Sequence, residues 1–382
     1  MTAEMGSGLL QSDLRSTGSP SRDLTPNRID RFLAILPKRG GSDLHLSVGS
    51  PPIVRIDGEL ERMRYRALTE EDFYNLVAPV TPPALWEAFQ GSGDVDFAYQ
   101  MGQEARFRVN LLRQERGSAA VLRLIPQRIP TAEDLSLPAA VAALYATPRG
   151  LVLVTGPTGS GKSTTLAAVL DRVNKRLAHH VITIEDPIEF VHTNDKSVFT
   201  QREIGPDVPN FAEGVKAAIR EDPDCLLVGE MRDLETMRMA LTAAETGLLV
   251  FATVHTNSAA KAVDRIIDAF PAAEQEQVRI VLAETLRGVV AQQLLKKKGG
   301  GRVAAHEVLL GSAALSNAIR VGKTALVNNM IATGKSRGMI SMDQTLTELV
   351  KNDVVEPDEA FERALDKESF KGILAGMKKS PG

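Results

Sequence analysis

Apolar residues recur at alternate positions through the first third of the chain, a pattern typical of strands with one buried and one exposed face. Residues 29–36 instead repeat their apolar positions with a helical period. The pattern therefore predicts a small α+β domain in this part of the chain. The alternating segments are residues 43–48, 53–58, 95–99, 105–111 and 119–125.

After Gly150 the pattern changes to nearly continuous apolar runs separated by segments with helical periodicity. Such runs are typical of parallel strands that helices cover on both faces. We therefore expect an α/β core that binds its ligand at the carboxyl ends of the strands. From about residue 262 onward the pattern predicts mainly helices. The four apolar runs cover residues 151–154, 181–184, 225–228 and 248–254.

Polar and proline-containing segments give the expected domain boundaries. Residues 16–21, Ser-Thr-Gly-Ser-Pro-Ser, cannot build a core and predict a flexible N-terminal tail. The stretch 126–138 contains several prolines and is interpreted either as the exit from the first domain or as a connection inside one compact unit. The expected division is a tail over 1–27, the α+β domain over 28–137, the α/β domain with C-terminal helices over 138–374, and a frayed end over 375–382.

Composition excludes several classes of protein. The chain has 382 residues, enough for two domains that each bury a core, and no apolar run approaches the roughly 20 residues that span a bilayer. Residues 1–31 lack the apolar core of a secretion signal, so we expect a cytoplasmic protein. The single cysteine, Cys225, excludes an internal disulfide framework and a cysteine-built zinc site. The formal net charge of −3 lacks the strongly basic balance of many nucleic-acid binders, although it is compatible with a local basic patch.

A phosphate-binding loop lies between the first apolar run and the next helical segment. Its glycines allow several backbone N–H groups to point at a phosphate, Lys162 reaches the β- and γ-phosphates, and the Ser163 hydroxyl ligates Mg²⁺. The helix that follows presents its positive end to the same anion. An accidental glycine-rich turn would not also have the preceding strand, the spacing, the lysine, the hydroxyl and the following helix. The sequence therefore predicts binding of ATP with Mg²⁺. The loop reads Gly156-Pro157-Thr158-Gly159-Ser160-Gly161-Lys162-Ser163-Thr164.

Two adjacent carboxylates, Glu185 and Asp186, end the second apolar run before Pro187. Phosphoryl transfer needs positioning and charge stabilisation, and Glu185 is placed to orient or deprotonate the attacking water. The alternative is an acidic turn that caps the next segment. The phosphate loop nearby favours the catalytic interpretation.

Polar residues also follow the third and fourth apolar runs. Glu230 comes after Gly229 and is the candidate for holding a Mg²⁺-bound water; the alternative is a solvated acid in a turn, with Arg232 and Asp233 paired at the surface. His255 follows the fourth run. It is interpreted either as a sensor of bound nucleotide or as a hydrogen-bonded structural group.

Arginines alternate with apolar residues in the first domain. They lie on one face of a predicted strand, where they form a solvated surface or close over a nucleotide bound to the second domain or to a neighbouring subunit. An arginine that reaches the transferred phosphate accelerates hydrolysis by roughly 10³- to 10⁵-fold. The residues concerned are Arg106, Arg108, Arg113, Arg116 and Arg123.

From about residue 27 to residue 350 the chain resembles the PilT-type ATPases of bacterial type IV pili, within the secretion ATPase superfamily. The resemblance implies that Glu185 is the catalytic glutamate, Glu230 the Walker B acid and His255 the His-box residue. It further implies γ-phosphate contacts from Arg108 and Arg123. Besides the phosphate loop, it rests on residues 41–46 and 149–155, on 182–190 as the Asp box, on 220–233 as the Walker B region and on 243–257 as the His box.

The same resemblance implies an architecture and partners. We expect a RecA-like P-loop ATPase domain preceded by a small PAS-like α+β domain, in a ring that is usually a homo-hexamer with ATP between the two domains. Motion passes to a PilC-like platform protein, which places the chain at the cytoplasmic side of the inner membrane, and no stable nucleic-acid binding is expected. Assembly ATPases of the superfamily carry an extra N-terminal domain and a four-cysteine metal module. This chain has neither the additional length nor the cysteines, so the resemblance favours pilus retraction, and hence twitching motility.

Two departures from the family pattern leave alternatives open. Leu248 stands where the family commonly has histidine, and residues 314–321 lack an arginine and the acid of a motif linked to retraction. One alternative is a PilU-like accessory subunit that hydrolyses little ATP itself and works with a paralogous ATPase. The other is an ATPase of pilus assembly, type II secretion or DNA uptake.

Overall fold

The chain divides into two compact units, Met1–Leu124 and Ile125–Gly382. The computed structural model describes residues 28–56, 58–102, 104–125 and 128–378, so the expected tail over 1–27 lies outside the described residues. The division between Leu124 and Ile125 lies close to the proline-containing stretch, and the expected boundary between 137 and 138 stays a prediction.

The first unit is built on a sheet that, within the described residues, has six strands in the order β3-β2-β1-β6-β5-β4. Strand β1 pairs antiparallel with both β2 and β6, and β4 pairs antiparallel with β5. The strands are β1 (Gly41–Ser47), β2 (Ile53–Ile56), β3 (Glu59–Arg62), β4 (Asp94–Met101), β5 (Ala105–Gln114) and β6 (Gly117–Ile125), and the helices are α1 (Asp30–Leu33), α2 (Ile35–Arg39), α3 (Glu70–Val77) and α4 (Pro83–Ser92).

Alternation along β5 shows why this part of the chain forms a one-sided sheet. Phe107, Val109 and Leu111 are fully buried in the core of the unit, whereas Arg108 between them is exposed. Helix α3, which the apolar pattern did not predict, begins at a capping box in which Thr69 and Asp72 each accept a hydrogen bond from the other's backbone N–H. The first domain is therefore α+β, as the sequence predicts.

The second unit contains a sheet that, among its described residues, has seven strands in the order β13-β12-β7-β11-β10-β8-β9. All neighbours are parallel except β12 and β13, which are antiparallel. The strands are β7 (Gly150–Thr155), β8 (His180–Glu185), β9 (Val198–Glu203), β10 (Cys225–Val228), β11 (Leu249–Val254), β12 (Leu286–Lys296) and β13 (Arg302–Leu310).

Helices cover both faces of this sheet. Every residue of β7, β10 and β11 is buried, which explains why the sequence shows unbroken apolar runs instead of alternation. None of the helices in the described part of the chain combines the length and apolar character needed to cross a bilayer. The helices are α5 (Ala139–Ala142), α6 (Lys162–Arg176), α7 (Phe211–Ala218), α8 (Leu234–Glu245), α9 (Ala259–Asp268), α10 (Gln275–Thr285), α11 (Ala313–Arg320), α12 (Val327–Thr333), α13 (Met342–Lys351), α14 (Pro357–Arg363) and α15 (Lys367–Lys378).

The expectation of mainly helices after residue 262 is wrong for β12 and β13, which together form a long antiparallel pair. Strand β12 lies between β7 and β13 and is buried along most of its length, so it shows no alternation of apolar and polar residues. Its leucines, alanine, glutamines and lysine are also good helix formers, and strand pairing overrides that local preference. Near the end of the chain, α15 continues to Lys378, and residues 379–382 lie outside the described residues.

Candidate active site

The phosphate loop connects β7 to α6 and depends on glycine for its shape. Gly156 has a φ of 150°, and a Cβ atom at this position would lie 2.3 Å from the Gln292 carbonyl oxygen. Gly161, with a φ of 85°, precedes the first residue of α6. The first N–H groups of a helix have no acceptor within the helix, so the end of α6 that begins at Lys162 suits an anion. Pro157, Thr158 and Gly159 are exposed, Ser160 is buried, and Ser163 and Thr164 are half-buried in the first turn of the helix.

Lys162 is folded against the carbonyl groups of its own loop. Its Nζ donates to the Gly156 carbonyl oxygen at 2.9 Å and to the Pro157 carbonyl oxygen at 3.1 Å. Burial lowers the pKa of Lys162, and the carboxylates of Glu230 and Glu189 oppose that effect. The ammonium group therefore lies inside the loop, beside two acids of the same site, where it can exchange carbonyl oxygens for phosphate oxygens.

Gln292 supports the loop from β12, a role that our sequence analysis did not predict. Its Nε2 donates to the Ser160 carbonyl oxygen at 2.6 Å, and its Oε1 accepts from Thr165 Oγ1 at 2.7 Å. The side chain is almost completely buried and joins the loop to α6. Because Gln292 lies more than a hundred residues away on a strand that we predicted as helix, no local pattern could identify it.

Glu185 is the last residue of β8, and its carboxylate is held by two side chains. Its Oε1 accepts from Thr183 Oγ1 at 2.7 Å and from Gln201 Nε2 at 3.2 Å. Burial raises the pKa of Glu185 to about 7, although the hydrogen bonds from Thr183 and Gln201 lower it. A carboxylate with a pKa near neutrality is suited to accept a proton from water.

Glu185 and Ser163 line the same small cavity. The parallel register of the strands brings their carboxyl ends to one edge, and Gly229 after β10 and Thr253 in β11 also reach this cavity. The structure therefore brings the phosphate-loop hydroxyl and the acid after the second apolar run together, as the sequence predicts for an open α/β sheet.

Glu230 lies beside His255 and Arg232. His255 Nε2 is 3.0 Å from Glu230 Oε2, and Arg232 Nε is 2.6 Å from Glu230 Oε1. The alternative of an Arg232–Asp233 pair is wrong, because Asp233 caps α8 by accepting from the Thr236 N–H at 2.8 Å. The acid after β10 and the imidazole after β11 thus meet at the edge of the sheet that carries the phosphate loop.

Comparison with known proteins assigns this chain to a family. The family model described as "Type II/IV secretion system protein" matches residues 91–376. The type IV pilus retraction ATPase PilT of Pseudomonas aeruginosa is 48% identical over 342 residues, which cover 90% of this chain and 99% of that protein. The chain belongs to the PilT-type secretion ATPases.

Further comparisons agree with this assignment. A crystal structure of the pilus retraction motor PilT with bound ADP matches this PilT-type chain with a TM-score of 0.84 and 43% identity, covering 91% of this chain and 100% of that one. The type IV pilus ATPase PilU of Pseudomonas aeruginosa is 37% identical over 336 residues, 88% of each chain. These matches confirm the predicted fold class, a P-loop α/β core preceded by a small α+β domain.

Arg108 and Arg123 of this PilT-type ATPase lie in the first unit, each beside an acid. Arg123 Nε is 2.7 Å from Asp43 Oδ1, and Arg108 Nε is 3.7 Å from Asp96 Oδ1. Both guanidinium side chains remain substantially exposed, with 69% and 46% of their surface accessible. Their role as γ-phosphate contacts stays a prediction.

The two departures from the family pattern fall on ordinary structural positions. Leu248 is half-buried and packs against the main core of the second unit. The segment that differs from the retraction-linked motif forms α11, which buries Leu315, Ala318 and Ile319 and leaves Val321 after it 54% exposed. The missing acid therefore falls on the exposed Val321. The missing arginine falls on Ser316, which is half-buried and donates to the Ala283 carbonyl oxygen at 2.6 Å.

Proposed function

We propose that this chain is an ATP-hydrolysing motor that powers retraction of type IV pili. The observation that carries the proposal is the cavity in which Glu185, with a pKa of about 7, faces the phosphate-loop residue Ser163. The similarity to PilT over 99% of that protein's length supports retraction as the work that ATP hydrolysis performs.

The residues of the second unit divide the work of hydrolysis among them. The N–H groups of the phosphate loop and the first turn of α6 hold the β-phosphate, and Lys162 moves from the loop carbonyl groups to the β- and γ-phosphate oxygens. Glu185 orients the attacking water and takes its proton as the bond to the γ-phosphorus forms. His255 contacts Glu230, and we assign its imidazole the role of sensing whether the γ-phosphate is present.

Ser163 and Glu230 fit a magnesium site. Both offer oxygen atoms, the ligands that this cation prefers, and Mg²⁺ in nucleotide sites takes one or two protein groups together with waters and phosphates. We assign Ser163 Oγ as a direct ligand and Glu230, which His255 and Arg232 already engage, as a ligand through water. When bound there, Mg²⁺ would neutralise the negative charge that develops on the phosphate oxygens during transfer.

The assembly follows from the same proposal. We propose a homo-hexamer at the cytoplasmic side of the inner membrane, acting on a PilC-like platform protein. In this ring, Arg108 and Arg123 contact the γ-phosphate. Stable nucleic-acid binding is not expected from a chain whose formal net charge is −3.

A PilU-like accessory subunit is the second candidate. The two altered positions in and after α11, Ser316 and Val321, and the 37% identity to PilU support it, as a subunit that works in a mixed ring with a paralogous ATPase. An ATPase of pilus assembly, secretion or DNA uptake is the third alternative. The hypothesis of an accessory subunit predicts that the purified chain binds ATP tightly but hydrolyses little of it.

Replacing Arg108 or Arg123 by alanine is expected to lower turnover much more than ATP binding, by roughly 10³-fold for an arginine that stabilises the transferred phosphate. Phosphate release and ATP affinity of each variant measure the two effects separately. Arg128→Ala serves as the control, because this exposed arginine pairs with Asp134 in the second unit. Unchanged turnover in both variants would remove these arginines from the mechanism.

A deletion strain tests which direction of force the motor supplies. Retraction predicts excess surface pili and loss of twitching, because pili assemble but are not withdrawn. Complementation with the wild-type chain should restore both, and complementation with Lys162→Ala should not. Absence of surface pili in the deletion strain would show an assembly ATPase instead, and normal twitching would show that another motor is sufficient.

A further inference from the structure

Gln201 lies on β9 beside the proposed general base, and its carboxamide makes three hydrogen bonds. Its Nε2 donates to Glu185 Oε1 at 3.2 Å and to the Phe190 carbonyl oxygen at 2.8 Å. Its Oε1 accepts from the His192 N–H at 2.8 Å. One side chain therefore connects the carboxylate of Glu185 to two points of the loop that follows it.

The sheet register explains why Gln201 reaches Glu185. Gln201 is paired with Thr183 across the parallel strands β8 and β9, and Thr183 Oγ1 also donates to Glu185 Oε1. Two side chains at the same level of the sheet thus hold the same carboxylate oxygen from two directions. Side chains on a strand have little freedom to move along it, so this arrangement fixes the direction of the carboxylate.

The loop over residues 186–192 forms part of the wall around Glu185. Phe190 and His192 line the cavity that Glu185 and Ser163 share, and both are almost completely buried. The imidazole ring of His192 stacks on Phe199 of β9, with ring centroids 4.3 Å apart and planes within 15°. Gln201 and Phe199 therefore attach this wall of the cavity to the edge strand of the sheet.

The charges around Glu185 make its carboxylate sensitive to these hydrogen bonds. Burial and the nearby Glu189 carboxylate raise its pKa, whereas Thr183, Gln201 and the backbone N–H of Glu189 stabilise the charged form. Burial lowers the pKa of His192 to about 4, so this imidazole ring carries no charge near pH 7. The charged or titratable groups nearest in the neighbouring segments include Asp186, Glu189 and His192 of the loop, Arg202 and Glu203 of β9, Lys162 of α6 and Glu230 after β10.

We propose that Gln201 is a positioning residue for ATP hydrolysis, holding the Glu185 carboxylate and the 186–192 loop in one arrangement around the reacting water. This inference rests on the proposed role of Glu185 as general base. It predicts two separable effects of Gln201, one on the proton affinity of Glu185 and one on the geometry of the cavity wall.

Gln201→Glu and Thr183→Val separate these effects. Gln201→Glu keeps an acceptor for the His192 N–H but replaces the donor to Glu185 by a second carboxylate, which raises the pKa of Glu185. Thr183→Val removes the other donor and leaves the loop contacts of Gln201 in place. Because the charged form of Glu185 is active, kcat/KM falls as the pH drops below its pKa, and that fall should begin at higher pH in both variants.

The measurement is the pH profile of kcat/KM for phosphate release, together with ATP affinity. A shift of about one pH unit corresponds to a roughly tenfold loss at pH values below the transition. For Gln201→Glu we expect a shift of about one pH unit, which from a wild-type pKa of about 7 is a roughly fivefold loss at pH 7 that approaches tenfold at lower pH. We expect a shift in the same direction for Thr183→Val, and ATP affinity within about twofold of the wild type in both variants. Gln275→Glu is the matched control, since Gln275, the first residue of α10, donates its side-chain N–H to the Phe270 carbonyl oxygen at 3.1 Å and does not line the cavity that contains Glu185.

The outcomes distinguish this inference from the proposed function. A Gln201→Glu profile identical to the wild type, with Glu185→Gln inactive, would overturn the role of Gln201 alone. An equal loss at every pH with an unmoved transition would assign Gln201 a purely structural role and also overturn it. Full activity of Glu185→Gln would overturn the general base and this inference together.

Discussion

Glu185→Gln should lower kcat for ATP hydrolysis by about 10²- to 10⁴-fold while ATP still binds, the usual contribution of a general base. The substitution keeps the size of the side chain and an oxygen that accepts from Thr183, but an amide cannot take a proton from water. Phosphate release and ATP affinity of the same preparation measure the two properties. Glu213→Gln, the same change at an exposed residue paired with Lys216, is the control and should behave as wild type.

The pH dependence follows from the direction of the pKa shift. Burial raises the pKa of Glu185 to about 7, so the fraction of active carboxylate falls as the pH drops through that value. The wild-type kcat/KM should therefore decline below about pH 7, and the residual activity of Glu185→Gln should lack this decline. Wild-type turnover in the glutamine variant would exclude Glu185 as the base.

Lys162→Ala should severely weaken ATP binding and turnover. The expected loss of kcat/KM is at least about 10²- to 10³-fold, because the variant lacks a preorganised contact with the phosphates. Its ammonium group is buried in the loop beside Glu230 and Glu189, so its removal also leaves these acids to repel the triphosphate. Nucleotide affinity by titration and phosphate release are the measurements.

Lys175→Ala provides the matched control for this variant. Lys175 lies on the same helix, α6, where it is exposed and pairs with Asp171 at 2.7 Å. Its loss should leave ATP binding and turnover unchanged. If Lys162→Ala bound and hydrolysed ATP as well as Lys175→Ala does, the phosphate loop would not be the nucleotide site.

Sequence identified the parts of the site that depend on local signals. The phosphate loop combines strand, glycines, lysine and helix within a few residues, and Glu185, Glu230 and His255 each follow an apolar run that becomes a buried strand. Since parallel strands place their carboxyl ends at one edge, the approximate meeting of these side chains could be predicted before any coordinates were known.

The missed parts depend on contacts between distant segments. Gln292 supports the loop from β12, a strand whose residues favour a helix locally, and Gln201 reaches Glu185 only through the pairing of β8 and β9. Neither glutamine belongs to a recognisable motif in one sequence. The direct contact of Glu230 with His255 is also nonlocal, because it depends on the spacing of β10 and β11, whereas Arg232 lies only two residues from Glu230 in the chain.

Release of inorganic phosphate from ATP by the purified chain with Mg²⁺, measured beside ATP affinity, tests the central claim most directly. The account predicts ATP binding and steady turnover that declines below about pH 7, where Glu185 becomes protonated. A folded preparation that neither binds ATP nor releases phosphate, at any magnesium concentration, would contradict it.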